Sequence, residues 1–296
     1  MEHLHANAAK NITKTWILMG FVLGLLIALG YFLSIAYDNP SIFTGFLFAS
    51  VMLNIVSYWF SDKIVLRLSA ARPASQEEFP LLYNAVEELS KKANLPMPKL
   101  YVINDPAPNA FATGRNKDHA AVAATTGILS LLNKEELEGV IAHELSHIGN
   151  KDILVSTVVA VLVGSISIAA DFAMRNMLYG NRDSENRSGG IASIIGMIFM
   201  VLAPIAAMII QLAISRKREL LADSSGAMLT GKPENLASAL TKISAYQRPL
   251  INAHAATAHL FISNPLRGKD GMAGFAKLFM THPPLEERIA ALLAKE

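Results

Sequence analysis

The chain of 296 residues contains no cysteine. That excludes disulfides, thiolate metal sites and a cysteine nucleophile, so any metal must be held by nitrogen and oxygen. Charge is also scarce. Only 17% of the residues are Asp, Glu, Lys or Arg and 52% are hydrophobic, against about 25% charged in an ordinary soluble domain. The formal net charge is +2. No arginine-rich patch or basic stretch interleaved with aromatics appears, so no nucleic-acid partner is expected. Internal repeats and low-complexity tracts are absent as well.

What the sequence does have is apolar length. Four runs reach the roughly 20 residues a helix needs to cross a bilayer: Trp16–Tyr37, Ile42–Phe60, Ile153–Phe172 and Ile191–Ile214, the last with a kink expected at Pro204. The first run is too long for a signal-peptide core and is followed at once by another span, so it is read as retained. Orientation follows from the bases beside the spans. Lys10 and Lys14 precede the first, Lys63, Arg67 and Arg72 follow the second, and Arg216, Lys217 and Arg218 follow the fourth. The Asp38-Asn39-Pro40 link has no base, whereas the loop Arg175–Gly190 has three arginines, partly offset by Asp183 and Glu185. Both termini are expected in the cytoplasm.

The resulting map has four parts. Residues 1–60 hold the N-terminal tail and spans 1 and 2. Residues 61–152 form a cytoplasmic region, 153–214 form spans 3 and 4, and 215–296 return to the cytoplasm. The expected class is a mainly α integral membrane protein with four transmembrane helices and a cytoplasmic α+β domain carrying a small β-sheet. An amphipathic helix is predicted in FPLLYNAVEELSKKANLP, with Pro80 in its first turn, Leu82, Val86 and Leu89 on one face, and Asn94 and Pro96 ending it. Strands are predicted at Lys99–Ile103, Ala110–Thr113 and Ala120–Thr126, the last two joined by a turn at Gly114–Asp118. Asn133 and Glu136 read as a capping box opening a further helix that stops near Gly149.

That helix contains VIAHELSHIGN. His143 and His147, four apart, lie on one face where both imidazoles reach one ion. Glu144 stands about 100° around the helix. It cannot join them as a ligand, but it reaches a water on the open side of the metal. The pattern therefore fits a base beside a hydrolytic metal, not a closed structural site. A catalytic zinc takes three protein ligands. The span map selects the third. Glu185 follows one crossing and falls on the wrong side, whereas Glu219 follows two and returns to the side of His147. Asp223, four residues on, shares its face and is placed to accept a hydrogen bond from a ligand imidazole. Both ligand segments lie within about 10 Å of the membrane boundary. His254 and His259 are expected to be structural or exposed, and His3 and His5 to lie in a disordered tail. Asp171 is expected at a watered interface near the end of the third span.

These residues resemble the HtpX group of membrane-bound zinc metallopeptidases, relatives of the CAAX prenyl endopeptidases. The likeness rests on NAFATG at Asn109–Gly114, HELSH at His143–His147, ELLAD at Glu219–Asp223, HLFISNPL at His259–Leu266 and THPPLEERI at Thr281–Ile289. It covers nearly the whole chain. The resemblance implies a gluzincin-type, zincin-like catalytic domain with one Zn2+ per chain, held by His143, His147 and Glu219, with Glu144 as base. It also implies cleavage of unfolded or damaged membrane proteins, at the lipid bilayer of a bacterial cytoplasmic (inner) membrane. From THPPLEERI, His282 and then Arg288 are candidates to stabilise the tetrahedral oxyanion. A substrate chain is expected to lie extended along Asn109–Thr113 or Ala120–Thr126, with Asn109 holding one of its backbone groups. Two other readings compete. A processing protease for a prenylated C-terminus is disfavoured because the prenyl enzymes have more than four spans. A membrane scaffold is disfavoured by the intact Glu144.

Overall fold

The computed structural model describes residues 2–36, 38–179, 216–254, 256–266 and 283–294. Two long helices open the chain, α1 (Glu2–Ala36) and α2 (Pro40–Trp59). They form an antiparallel hairpin. Asp38 turns the chain with φ 50°, Asn39 caps α2 by accepting from the Ser41 amide at 3.0 Å, and Pro40 occupies its first turn. At Gly30 the helices touch so closely that a Cβ there would lie 2.3 Å from Cβ of Phe46. Lys10–Ile35 and Pro40–Trp59 are both long and apolar enough to cross a membrane. Their outer faces expose Trp16, Ile17, Phe21, Phe32, Phe48, Ile55 and Trp59, a surface suited to lipid and costly in water. The tail expected to be disordered is helical, since α1 already begins at Glu2.

Two further elements were not anticipated. The helix α3 (Ser61–Leu68) follows α2 directly, and β1 (Ala71–Pro73) follows it. Lys63 and Arg67, read as charges flanking a span, lie on α3, whose Val65 and Leu66 turn inward. Next come α4 (Pro80–Lys92), β2 (Lys99–Ile103), β3 (Ala110–Gly114), β4 (Ala120–Thr125) and α5 (Thr126–Leu131). The sheet order is β1-β2-β4-β3, with β2 parallel to β4 and both outer pairs antiparallel. Its register sets Val102 beside Ala124 and Ala112 beside Val122.

The sheet is buried on both faces, which explains why AAVAAT shows no polar alternation. Val102, Ala112, Val122 and Ala124 pack with Leu82, Val86 and Leu89 of α4. On the other face Ile103, Phe111, Ala121 and Ala123 meet Val65, Leu66 and Phe261. Helix α6 (Lys134–Gly149) opens with the expected capping box, Glu136 amide to Asn133 at 2.8 Å and the reverse bond at 3.0 Å. Its end falls at Gly149, as expected. Gly149 stays helical, Asn150 is the cap, and the left-handed residue is Lys151, φ 58°. The chain then bends by 85° into α7 (Asp152–Tyr179).

The first three turns of α7 are enclosed by protein. Leu154, Val155, Val158, Val159 and Leu162 pack on Leu18, Met19 and Val22 of α1, and Ala160 faces the sheet. This half of the predicted third span therefore faces protein rather than lipid. The predicted fourth span, 191–214, lies outside the described residues. Beyond it α8 (Arg216–Thr230) and α9 (Pro233–Ala245) pack on α6, and α10 (Leu285–Leu293) packs on both. Leu236 and Leu240 of α9 and Leu292 of α10 share one core with Leu137 and Val140 of α6. The segments on either side of 153–214 thus form a single hydrophobic body.

Candidate metal centre

α6 and α8 cross where Gly226 lets them approach. A Cβ at Gly226 would stand 2.9 Å from the His143 amide nitrogen. One and a half to two turns earlier on α8, Glu219 meets the imidazoles of α6. The two Nε2 atoms are 3.2 Å apart, and the Glu219 carboxylate oxygens lie 3.7 Å from each ring. Among the described residues, His143, His147 and Glu219 are the one group able to hold a metal. The donor set fits zinc. Ligands 2.0–2.1 Å from a tetrahedral ion stand about 3.3 Å from each other, close to the spacing found here. A cavity of about 30 Å³ adjoins them, lined by Ala112, Glu144, His259 and Phe261, with room for a water or two.

A carboxylate stands behind each ring. Nδ1 of His143 is 2.9 Å from Oδ1 of Asp223. Arg288 donates to both oxygens of Asp223, from Nε at 2.8 Å and Nη2 at 2.6 Å, and its Nη1 donates to the Ile262 carbonyl at 3.3 Å. Nδ1 of His147 is 3.0 Å from Oδ2 of Asp152. The other oxygen of Asp152 accepts from Nδ2 of Asn11 at 2.7 Å and from Arg218 at 3.4 Å. Asp152, Asn11 and Arg218 were not foreseen as site residues. Asp152 had one signal, an acid just past the end of the histidine helix. Asn11 had none.

Burial and these charges set the protonation of the metal-free site. Burial pushes the Glu144 carboxyl up to about 7, with the Glu219 charge adding and the His147 ring opposing. For His147 burial works downward, but the Asp152 hydrogen bond and the Glu219 and Asp152 charges raise it to about 9. His143 goes the other way: burial holds it below the usual imidazole value despite Asp223. Asp223 is held down at about 2 because Arg288 and His143 outweigh its burial.

The remaining candidates fall elsewhere. Asn109 is buried and bracketed. Its Nδ2 donates to the Ser263 carbonyl at 2.8 Å and its Oδ1 accepts from the Ser263 amide at 3.2 Å, while the Ile262 amide bonds the Ala110 carbonyl at 2.9 Å. Asn109 thus pins residues 261–263 against β3, and its amide is engaged within the chain rather than offered to a substrate. β4 runs between β2 and β3, so of the two expected edges only β3 is one. Arg288 is spent on Asp223 and Ile262, not aimed at the cavity and not paired with Glu287. His259 is buried, with Nε2 3.0 Å from the Ser156 carbonyl, and His254 is exposed. Asp171 lies on α7, and His282 lies outside the described residues.

Residues 76–296 match peptidase family M48. A protease HtpX homolog of Pyrococcus abyssi is 51% identical over 282 residues, covering 94% of both chains. Another, from Caldanaerobacter subterraneus, is 46% identical over 297 residues, covering 98% of this chain and 97% of its own. Among solved structures, the crystal structure of S. mikatae Ste24p superposes with a TM-score of 0.50 at 18% identity, over 99% of this chain and 67% of that one, a likeness of fold. The histidine and glutamate cluster, the membrane-length helices and these likenesses converge, and the chain belongs to peptidase family M48, as an integral-membrane metallopeptidase.

Proposed function

We propose that the protein is a zinc endopeptidase that cleaves unfolded or damaged membrane proteins on the cytoplasmic side of the cytoplasmic membrane, with four spans and both termini inside. The observation that carries this reading is the convergence of two Nε2 atoms and a returning carboxylate beside a buried Glu144. His143, His147 and Glu219 would hold one Zn2+. When bound, zinc lowers the pKa of a water and polarises the scissile carbonyl. Glu144 takes the proton of that water and passes it to the leaving amine. Asp152 bonds Nδ1 of His147 at 3.0 Å and the Asp223 carboxylate stands 2.9 Å from Nδ1 of His143, which would favour the ring proton at Nδ1 and leave each Nε2 to the ion.

Arg288 acts as a positioning residue through Asp223, in place of the oxyanion role expected from sequence, because its donors are already engaged. His282 remains the proposed oxyanion donor. A substrate strand would add to β3 near Ala112 in place of residues 261–263, whose Ile262 amide now bonds the Ala110 carbonyl. Recognition through backbone bonds tolerates many sequences, which suits substrates defined by unfolding rather than by a motif. The test uses the full chain in detergent with zinc, on casein and on an unfolded membrane protein. Cleavage by the parent and its loss in Glu144→Ala is the expected outcome. Equal turnover by the two proteins rejects the assignment.

A further inference from the structure

The last link behind His147 comes from the membrane hairpin. Asn11 lies on α1, at the start of its apolar stretch Lys10–Ile35, and is buried. Its Nδ2 group has two hydrogens and two acceptors, Oδ1 of Asp152 at 2.7 Å and the Asn150 carbonyl at 3.0 Å. Both acceptors flank Lys151 in the elbow between α6 and α7. Only a two-hydrogen donor satisfies them together, which fixes the amide orientation. The Asp152 carboxylate is therefore divided, one oxygen held by the membrane helix and the other 3.0 Å from the His147 ring. Arg218 alone, at 3.4 Å, is too distant to hold it in that pose. The equivalent carboxylate behind His143 is clamped differently, by Arg288 from α10.

The placement of Asn11 is not a chance contact of a loose tail. Leu18, Met19 and Val22 continue its face of α1 and pack on Leu154, Val155 and Val158 of α7. Their spacing of three, four and seven residues is that of one helical stripe. Register along this stripe sets the height at which the amide meets the elbow.

We propose that Asn11 is a positioning residue for the metal site, acting through Asp152 on His147, so that metal affinity depends on the side-chain amide that the N-terminal membrane helix sets against the elbow. This rests on the zinc reading above. The chemistry follows from donor geometry. An Asp152 carboxylate anchored at one oxygen presents the other to Nδ1 in a fixed direction. Released, it turns toward Arg218 or solvent, and the ring loses its acceptor.

The test uses the full-length protein in detergent micelles, with zinc affinity read by competition with a chromophoric chelator. Asn11→Leu keeps the branched four-atom skeleton and removes the donor, and the loss expected is about 10–100-fold, with an altered visible spectrum of the Co2+-substituted protein. Met19→Ala loosens the same interface without touching the amide, so it lowers the melting temperature while zinc affinity stays within about threefold. In an Asp152→Ala background Asn11→Leu adds no further loss, because the two act in series. The same cycle with Asn11→Ser, the smaller perturbation, covers the case in which the leucine variant fails to fold. Parental zinc affinity in Asn11→Leu, an equal loss in Met19→Ala, or additive losses with Asp152→Ala each overturn the proposal. A parent that binds no zinc, or His147→Ala binding as tightly as the parent, overturns the zinc reading instead.

Discussion

Arg288→Met isolates the buried ion pair that fixes His143. The guanidinium and the Asp223 carboxylate are 3% and 1% exposed, so neither has water to fall back on when its partner is removed. Two charge-assisted hydrogen bonds disappear, and Asp223 is left as an unpaired buried charge. Removing one partner of such a pair costs about 3–5 kcal/mol, which in a body of this size lowers the melting temperature by roughly 10 °C. The double variant Asp223→Leu/Arg288→Met takes both charges away and with them the desolvation cost. It regains most of the lost stability, but not the metal site, because Nδ1 of His143 then has no acceptor and zinc binding stays about 10–100-fold weak. Thermal melts of the zinc-free proteins in detergent, paired with chelator competition, separate the two effects. An Arg288→Met protein that melts within a degree of the parent, or a double variant that recovers zinc affinity along with stability, would refute the reasoning.

Two further predictions follow from the site. His147, raised to about 9 in the metal-free fold against about 6.5 unfolded, must lose a proton to bind metal. Zinc affinity therefore rises roughly tenfold per pH unit up to about pH 9. Because the folded pKa is the higher one, the stabilisation is complete below about pH 6.5 and is lost toward pH 9. Metal-free stability thus falls over the window in which zinc binds more tightly, and titrations across pH 6–9 that show flat affinity would contradict this. Gly226→Ala places a Cβ 2.9 Å from the His143 nitrogen and 3.1 Å from the Ala142 carbonyl carbon. Backbone cannot swing aside, so α6 and α8 must part, at about 1–3 kcal/mol, carrying Glu219 from the rings. Zinc retained as well as in the parent after dialysis against chelator would count against that geometry.

Much of this molecule is written in short-range signals. The strands at 99–103, 110–114 and 120–125 were legible to within a residue because β-branched and small residues end at strong turn signals. The Asn133–Glu136 box was legible because a cap is a contact over three residues. His143 and His147 share a helical face by covalent geometry alone, and Glu219, expected as their third partner, stands 3.7 Å from each ring. Short α3 was hidden because Lys63 and Arg67 look alike on a helix and at a span end. The left-handed residue beyond α6 was not legible, because Lys151 adopts that conformation at the 85° elbow without being glycine.

What the sequence determined by itself, then, is everything governed by neighbours a few residues apart: helices, strands, caps and the paired imidazoles. Tertiary structure alone decided that Arg288 serves Asp223 across 65 positions, that Asn109 pins a segment 154 positions away, and that Asn11 of a membrane helix reaches Asp152. Such contacts leave no periodicity to read. A buried charge or amide takes whichever partner the packed core sets against it, because leaving it unpaired away from water costs more than any local preference offers.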